Sequence, residues 1–372
     1  MSFSVLHTSD LHIGKAFAGF DSDKAAELRA SRLAAVGRLA EAARQGNARH
    51  ILVAGDFFDN HGLPDGLVRS ALARMGDAAD LSWHVIPGNH DAATAGGVWE
   101  RAQRIGIPAN VVLHTEPRPA ELAPGTVLLP SPLGARALTG DPTAWMDSVT
   151  TAPGTLRIGL AHGSTQGFGS ERAASILIDA ERCRHAGLAY LALGDWHGTK
   201  EVGPAAWYSG TPEPDQFADN DPGGALLVTF RGGPPVVQRI ETAARTWLQR
   251  RVTCRTGDDL DGVMRDVQGL GARSHDTLLN LQLAGTLSLA VRAKLDRTLE
   301  DLAGRLFVLR VKDELAVTTD AADLGVLEDR QLRRAAELLR AIADDATHPK
   351  QATATLALRE LYDLAARGGA RP

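Results

Sequence analysis

The sequence predicts an α/β sandwich over its first two thirds, followed by a small α+β unit and two terminal helices. Short apolar runs that read as buried strands alternate there with amphipathic stretches that read as helices. Several of the strand-like runs end in loops rich in glycine, aspartate and histidine. This strand–loop–helix alternation is typical of a sheet whose strands are largely parallel.

The N-terminal part of the chain gives the clearest alternation. The first helix is predicted to stop at Gly46, because glycine is frequent just past a helix end. The five predicted elements of this part are, in chain order, a strand from Phe3 to Leu6, a helix from Lys24 to Gln45, a strand from His50 to Ala54, a helix from Leu67 to Met75, and a strand from Trp83 to Ile86.

The middle of the chain continues with strands, but its rhythm changes. Proline-rich turns separate the first two of these runs, and the last two lie close together in sequence, which favours an antiparallel pair. The predicted strands are Val111 to His114, Thr126 to Leu129, Leu156 to Ala161, Ala189 to Leu193, Ala225 to Phe230 and Pro235 to Ile240.

Three domains are predicted, covering residues 1–243, 244–320 and 321–372. In the second, leucines 279, 281 and 283 alternate like a strand with one buried face. A helix from Leu287 to Leu302 and a strand from Leu306 to Val311 complete that unit. The last domain consists of two helices, about Asp329 to Asp344 and Thr353 to Ala366.

Composition excludes several classes of protein. The 372 residues are 44% hydrophobic and 23% charged, which suits a globular protein, and the net charge of −5 does not by itself indicate a nucleic-acid partner. The two cysteines predict unpaired thiols in a reducing compartment. We see no signal peptide and no apolar run of about 18 residues. The expectation is therefore a soluble cytoplasmic protein that does not enter a membrane.

The loops after five of the strands carry carboxylate, imidazole or amide groups. In α/β sheets, ligands bind beyond the carboxyl ends of the strands, so these loops are expected to meet. A centre for two divalent ions needs seven or eight donors, and oxygen and imidazole donors without cysteine favour manganese, iron or magnesium over a structural zinc. The candidates are Asp10, His12, Asp56, Asn89, His90, His162, Asp195 and His197.

The sequence around these residues resembles the calcineurin-like metallophosphoesterases, and within them the SbcD-type DNA repair exonucleases. A further segment, Tyr208 to Pro214, resembles the exonuclease branch in particular. The resemblance covers about residues 1 to 242 and implies a four-layer α/β/β/α sandwich with a C-terminal capping domain. The segments that carry it are His7 to Lys15, Ala54 to Asp59, Pro87 to Asp91, Ala161 to Gly163, Leu193 to His197 and Tyr208 to Pro214.

The resemblance also implies a role for each candidate. His90 would approach the scissile phosphate without binding metal. The chemistry of such a centre, rather than the resemblance, predicts that Asp59 and Asp91 orient imidazoles and loop backbone, or that Asp59 only stabilises its turn. The chain departs from the family at Asp195, where a histidine is usual; a carboxylate there would either favour manganese or magnesium or weaken the second site. One ion would be held by Asp10, His12, Asp56 and His197, and the other by the bridging Asp56 with Asn89, His162 and Asp195.

The resemblance implies a DNA exonuclease or endonuclease in which a hydroxide activated by two divalent ions, most readily manganese, attacks phosphorus. It also implies an SMC-like, SbcC-type ATPase as partner, and leaves a homodimer open. The alternatives are a small-molecule phosphodiesterase or phosphomonoesterase on the same core, and a catalytically weak subunit that binds the ATPase. Apolar stripes on the two terminal helices offer a docking element, or else pack on their own domain.

Overall fold

The computed structural model describes residues 2–136, 140–165, 176–256, 258–318, 329–345 and 347–368. The chain divides into two units, residues 1–245 and 246–372, each with its own core. The predicted boundary between residues 320 and 321 lies outside the described residues.

The first unit contains fourteen strands and four α-helices in its described residues. The strands are β1 (Phe3–Thr8), β2 (His50–Ala54), β3 (Ser82–Ile86), β4 (Val111–Leu113), β5 (Ala120–Ala123), β6 (Thr126–Ser131), β7 (Leu156–His162), β8 (Ser164–Thr165), β9 (Leu177–Ile178), β10 (Tyr190–Gly194), β11 (Lys200–Gly203), β12 (Ala206–Tyr208), β13 (Gly224–Phe230) and β14 (Val236–Glu241). The helices are α1 (Ser22–Gln45), α2 (Asp65–Gly76), α3 (Val98–Ile105) and α4 (Arg182–His185).

The described strands of this unit form two six-stranded sheets and a two-stranded sheet of β8 and β9. The first has the order β14-β13-β1-β2-β3-β4, with β1 to β4 parallel and β13 and β14 joined as an antiparallel pair. The second has the order β11-β12-β10-β7-β6-β5, with its four inner strands parallel and an antiparallel strand at each edge. The predicted parallel core and the antiparallel closing strands are confirmed.

The two sheets face each other and bury a shared apolar layer. Alternate residues of the strands supply that layer, for example Leu52 of β2 and Leu160 of β7. Helices α1, α2 and α3 cover the outer face of the first sheet, where Leu39 and Trp99 lie in the core. Shorter helical segments, including α4, cover the outer face of the second sheet. The predicted α/β sandwich is therefore confirmed.

The described part of the second unit has three strands, β15 (Thr246–Cys254), β16 (Thr277–Ser288) and β17 (Val308–Thr318). Its helices are α5 (Asp261–Gly269), α6 (Leu289–Arg305), α7 (Arg330–Ala343) and α8 (Gln351–Gly368). Its sheet is entirely parallel, with β16 in the middle. Helices follow β15 and β16 along the chain, so this unit has the connectivity of an α/β rather than an α+β unit. The sequence prediction missed this because it did not identify β15 as a paired strand.

Some elements differ from the prediction in detail. Helix α3, at eight residues, and helix α5, at nine, were not predicted, and the predicted helix from Leu287 begins two residues later. Ser288 caps that helix by accepting a hydrogen bond from the Val291 amide, which fixes its true start. None of the helices in the described ranges combines the length and apolar character that a membrane span requires.

Candidate metal centre

The candidate site lies where the carboxyl ends of five parallel strands meet, three from the first sheet and two from the second. The loops after these strands hold one another directly. The amide of Asp10 donates to Gly55 O at 3.1 Å, and the amide of Asp195 contacts both carboxylate oxygens of Asp10 at 3.2 Å. Imidazole Nδ1 of His162 donates to Ala54 O at 2.8 Å, which ties the second sheet to the first.

The structure brings all the predicted ligands together. Among the described residues, three overlapping groups place ligand atoms within 4.8 Å of one another, and Asp10, His12 and Asp56 each belong to two groups. The groups are Asp10 with His12 and His197, His12 with Asp56 and His90, and Asp10 with Asp56 and His162.

Asp56 lies between the two halves of the cluster. Its Oδ2 is 3.7 Å from Nε2 of His12 and 3.5 Å from Nε2 of His162. The amide oxygen Oδ1 of Asn89 is 3.1 Å from the same atom of His162, and Oδ1 of Asp195 is 3.9 Å from it. Asp56 thus lies where one carboxylate could contact two neighbouring ions.

In each of the four imidazoles, Nδ1 faces an oxygen atom of a neighbouring carbonyl or carboxylate group. His162 donates from Nδ1 to Ala54 O, and His90 contacts Asp59 O through Nδ1 at 2.9 Å. Nδ1 of His12 lies 3.4 Å from Oδ1 of Asp59, and Nδ1 of His197 lies 3.3 Å from Oδ1 of Asp215. A protonated Nδ1 leaves Nε2 with a free lone pair, and Nε2 of His12 and of His197 lie 3.2 Å apart.

Three glycines beside the candidate ligands allow neighbouring loops to approach so closely that a side chain would not fit. A Cβ on Gly55 would lie 2.3 Å from Nδ1 of His162, and a Cβ on Gly88 would lie 2.2 Å from Oδ1 of Asp56. At Gly194 a Cβ would lie 1.9 Å from Ala54 O. The Gly-Asp and Gly-Asn pairs of the sequence are therefore needed for close approach of the loops.

Several ligand residues have a backbone conformation that side chains rarely adopt. The φ angles are 55° at Asp10, 42° at His12, 51° at Asp56 and 107° at Asp195. Aspartate tolerates the left-handed region better than most residues, but these conformations still carry strain. The hydrogen bonds between the loops hold the strained turns in place, and so aim the carboxylates inward.

The electrostatics of the cluster call for positive charge. Asp10 and Asp56 are almost fully buried, and Asp195 contacts Asp10 through its amide and lies 3.9 Å from His162. Burial alone would lower the pKa of His162, but the carboxylates of Asp56, Asp10 and Asp195 raise it to about 9. Burial lowers the pKa of His12 to about 4, so that imidazole is neutral at pH 7.

The two supporting carboxylates occupy different places. The carboxylate of Asp59 lies beside Nδ1 of His12, and the backbone carbonyl of Asp59 contacts Nδ1 of His90. Asp91 accepts hydrogen bonds from the amides of Gly88 at 2.7 Å and Phe58 at 3.0 Å, so it joins two loops through their backbone. Burial, reinforced by the nearby Asp56, raises the pKa of Asp91 to about 7.

His90 lies at the rim, with an atom close enough to His12 and Asp56 to act as a ligand. Its amide donates to Oδ1 of Asp56 at 2.9 Å. Distance alone does not separate a metal ligand from a group that contacts the substrate, so its role stays a prediction. The carboxylate of Asp195 accepts a hydrogen bond from the Ser164 hydroxyl at 2.8 Å, which leaves its other oxygen for a cation.

Three groups of the site were missed from the sequence: Asp215, Arg32 and Lys15. The buried carboxylate of Asp215 contacts His197, and Lys15 lies 2.6 Å from its other oxygen. Burial opposes ionisation, but the hydrogen bond from His197 and the charges of Arg32, His197 and Lys15 hold the pKa of Asp215 well below its usual range. The sequence feature that could have identified Asp215 is its position directly after the Tyr208 to Pro214 segment.

The donors fit divalent ions. Carboxylate and amide oxygens and imidazole Nε2 atoms are ligands of manganese, iron, magnesium and zinc, and the loop glycines shape the space they face. One ion would be held by Asp10, His12, Asp56 and His197. The other would be held by Asp56, Asn89, His162 and Asp195.

Residues 3–172 match the family model described as calcineurin-like phosphoesterase. The crystal structure of TT1561 of Thermus thermophilus matches with a TM-score of 0.43 and 12% identity, over 65% of this chain and all of that one. No curated protein matches the chain. Asp195 and His197 lie beyond the matched residues, yet they join the same cluster. Residues 3–172 are thus similar to the calcineurin-like phosphoesterases.

Proposed function

We propose that this protein is a metal-dependent phosphodiesterase that cleaves DNA, as an exonuclease, an endonuclease or both. The family match implies metal-dependent hydrolysis of a phosphoric ester. The observation that carries the proposal is the pair of donor groups that share Asp56, with Nε2 of His12 on one side and Nε2 of His162 on the other. We infer two divalent ions there, with manganese as the first choice.

The chain's own residues have separate tasks in this chemistry. Two bound divalent ions would supply Lewis acidity and a water of lowered pKa. Asp56 is shared by the two donor groups, and the ligand atoms of Asp10 and His162 lie within 4.8 Å of its carboxylate. His90 is oriented by Asp59 O through Nδ1, so its Nε2 is the atom that would stabilise or protonate the leaving oxygen.

DNA as substrate is supported by two features. The Tyr208 to Pro214 segment resembles the exonuclease branch, and it braces the site from behind: the amide of Thr211 donates to His197 O at 3.0 Å. The rim of the site is partly open to solvent at Asn89, His90 and Asp195. A polymeric diester needs such an open rim, whereas a small ester is usually bound in an enclosed pocket.

The test is hydrolysis of single-stranded DNA, double-stranded DNA, a nitrophenyl phosphodiester and a nitrophenyl phosphomonoester, each with manganese and with a chelator. The proposal expects manganese-dependent cleavage of DNA, abolished in Asp56→Ala. Turnover of the small esters without DNA cleavage would favour the small-molecule alternative. Full metal occupancy without turnover of any of them would favour a subunit that acts by binding.

We also propose an SMC-like ATPase as partner, docked on the terminal helices. In α8, Leu358 and Tyr362 pack with Ala336 of α7 against α6, so part of the predicted apolar stripe is core. Leu338 and Leu356, 63% and 55% exposed, lie on the helix sides away from those residues. These exposed leucines suit a partner helix.

Deletion of the two terminal helices would be an ambiguous test of this partner. Removing both helices would uncover Leu289 and Ala293 of α6, so loss of binding after truncation would have two explanations. Leu338→Asp with Leu356→Asp leaves that core intact. We expect this double variant to keep its metal and to lose co-purification with the ATPase. The control Glu337→Gln, at an exposed position of α7 beside Leu338, should keep both its metal and the ATPase. An undiminished complex in the double variant would rule out this dock.

A further inference from the structure

Asp215 contacts a candidate metal ligand from outside the cluster. Its Oδ1 lies 3.3 Å from Nδ1 of His197, and Nε2 of the same imidazole lies 3.2 Å from Nε2 of His12. A carboxylate accepts from Nδ1–H, so this contact selects the tautomer that carries its lone pair on Nε2. The opposite tautomer would place a proton where an ion should bind.

Two cations fix Asp215 in this position. Nζ of Lys15 lies 2.6 Å from its Oδ2, and the guanidinium of Arg32 lies 4.0 Å from the same oxygen. The carboxylate side chain is almost completely buried. Lys15 and Arg32 therefore hold one oxygen, and the other is left facing His197.

Arg32 also joins this carboxylate to the first loop of the site. It is fully buried in α1 and donates to Leu11 O at 2.8 Å and Asp10 O at 2.9 Å, on the loop that carries Asp10 and His12. It donates as well to Glu213 O at 2.7 Å, two residues before Asp215. One guanidinium thus connects the loop of two ligands to the segment that orients a third.

We propose that Asp215 is the positioning residue for His197, held in place by Arg32 and Lys15, and that it sets the affinity of one of the two ions. The inference rests on the proposed metal centre and adds to it the origin of the His197 geometry. Partners of this kind typically change metal affinity by about 10–100-fold when they are removed.

Glu213 provides a matched control. It is a buried carboxylate in the same segment, paired with Arg38, and it accepts hydrogen bonds from the amides of Ala244 at 2.8 Å and Arg245 at 3.0 Å. The imidazole of His197 is not among these partners of the Glu213 carboxylate. Loss of either carboxylate would loosen the segment, but only Asp215 bonds to His197.

The experiment measures manganese binding to the full chain by calorimetric titration with a competing chelator, for wild type, Asp215→Asn and Glu213→Gln, with thermal unfolding as the check of folding. In Asp215→Asn, the cations of Lys15 and Arg32 bind the amide oxygen, so the amide NH2 faces His197. That NH2 donates to Nδ1, and the imidazole proton then lies on Nε2. We expect one of the two ions to bind about 10–100-fold more weakly there, and both to bind Glu213→Gln as they bind wild type.

Two further variants keep the inference open to refutation. Asp215→Glu retains the charge that Arg32 and Lys15 require but displaces the carboxylate, so we expect the same ion to weaken even if Asp215→Asn does not fold. In a His197→Ala background, Asp215→Asn should cost no further affinity, because Asp215 acts through His197. Wild-type affinity for both ions in a folded Asp215 variant, or an equal loss in Glu213→Gln, would overturn the proposal. A wild-type chain that binds no manganese would instead overturn the metal centre itself.

Discussion

Gly88→Ala tests whether the loop glycines shape the metal centre. Gly88 is not in the left-handed region, so alanine is allowed there by its backbone. The obstacle is space: a Cβ would lie 2.2 Å from Oδ1, 2.5 Å from the amide nitrogen and 2.9 Å from Cγ of Asp56. Normal contacts of carbon are about 3.5 Å, so the carboxylate must move by about 1 Å.

Rotation of the Asp56 side chain does not relieve this overlap, because its backbone nitrogen is also too close. Asp56 O accepts from the His12 amide at 2.9 Å, and Oδ1 accepts from the His90 amide at 2.9 Å, so any shift disturbs two loops at once. A misplacement of about 1 Å at a reacting centre costs about 10²-fold in rate. Overpacking costs a further ~1–3 kcal/mol in the free energy of unfolding.

The assay for Gly88→Ala combines metal content after dialysis against manganese with hydrolysis of a phosphodiester and of DNA. Gly66→Ala is the matched control, because a Cβ at Gly66 meets no atom within 4 Å and the residue lies in a helix. We expect the control to match wild type, and Gly88→Ala to lose activity together with metal. A folded Gly88→Ala that binds both ions and turns over at the wild-type rate would refute the close packing of this loop on Asp56.

The other predictions concern single groups. Asp56→Ala should fold but lose phosphodiester cleavage, because both donor groups share its carboxylate; metal analysis and turnover check this, and activity with both ions bound would contradict it. His90→Ser should keep its metal while turnover falls by about 10²-fold or more, and loss of metal would make His90 a ligand. Asp195→Ala should lower the occupancy of one ion and Asp195→His should keep it, whereas unchanged stoichiometry in Asp195→Ala would remove Asp195 from the ligands. Burial lowers the pKa of His84 to about 3, below its unfolded value of about 6.5, so the unfolded chain binds the extra proton and stability falls as pH drops below about 6.5. His84→Gln should remove about 2 kcal/mol of the loss between pH 7 and 5 in denaturant titrations, and an unchanged loss would place the acid sensitivity elsewhere.

Much of the fold could be predicted because local signals and tertiary structure agree. The runs from His50 to Ala54 and from Trp83 to Ile86 are short, apolar and closed by glycine loops, so both their strand character and their parallel pairing follow from pattern. Helix α3 was missed because two turns are too short for a helical period to be read against the flanking glycines. In β15, Gln249, Arg250 and Arg251 are exposed and hide the apolar alternation of its inner face.

The candidate ligands could be predicted for a similar reason. Each one follows a strand directly, so chain position and spatial position coincide at the carboxyl edge of the sheets. Asp56 illustrates this: the sequence puts it after β2, and the structure puts it between Nε2 of His12 and Nε2 of His162. Glycines 55 and 88 were visible as turn residues, but the atoms they make room for were not, because those atoms come from other loops.

The groups that orient the ligands come from places that carry no such signal. Arg32 lies within a 24-residue helix where an arginine reads as a surface residue, yet it is fully buried and donates to Asp10 O and Leu11 O. Asp215 follows a proline after the last motif and meets His197 only because β12 and the loop after β10 come together. A buried guanidinium needs several acceptors, and the backbone carbonyls of two loops supply them only in the folded chain. The candidate ligand set is thus local in sequence, whereas its orientation depends on tertiary contacts, so we expect Asp215→Asn to weaken the binding of one ion while every predicted ligand stays in place.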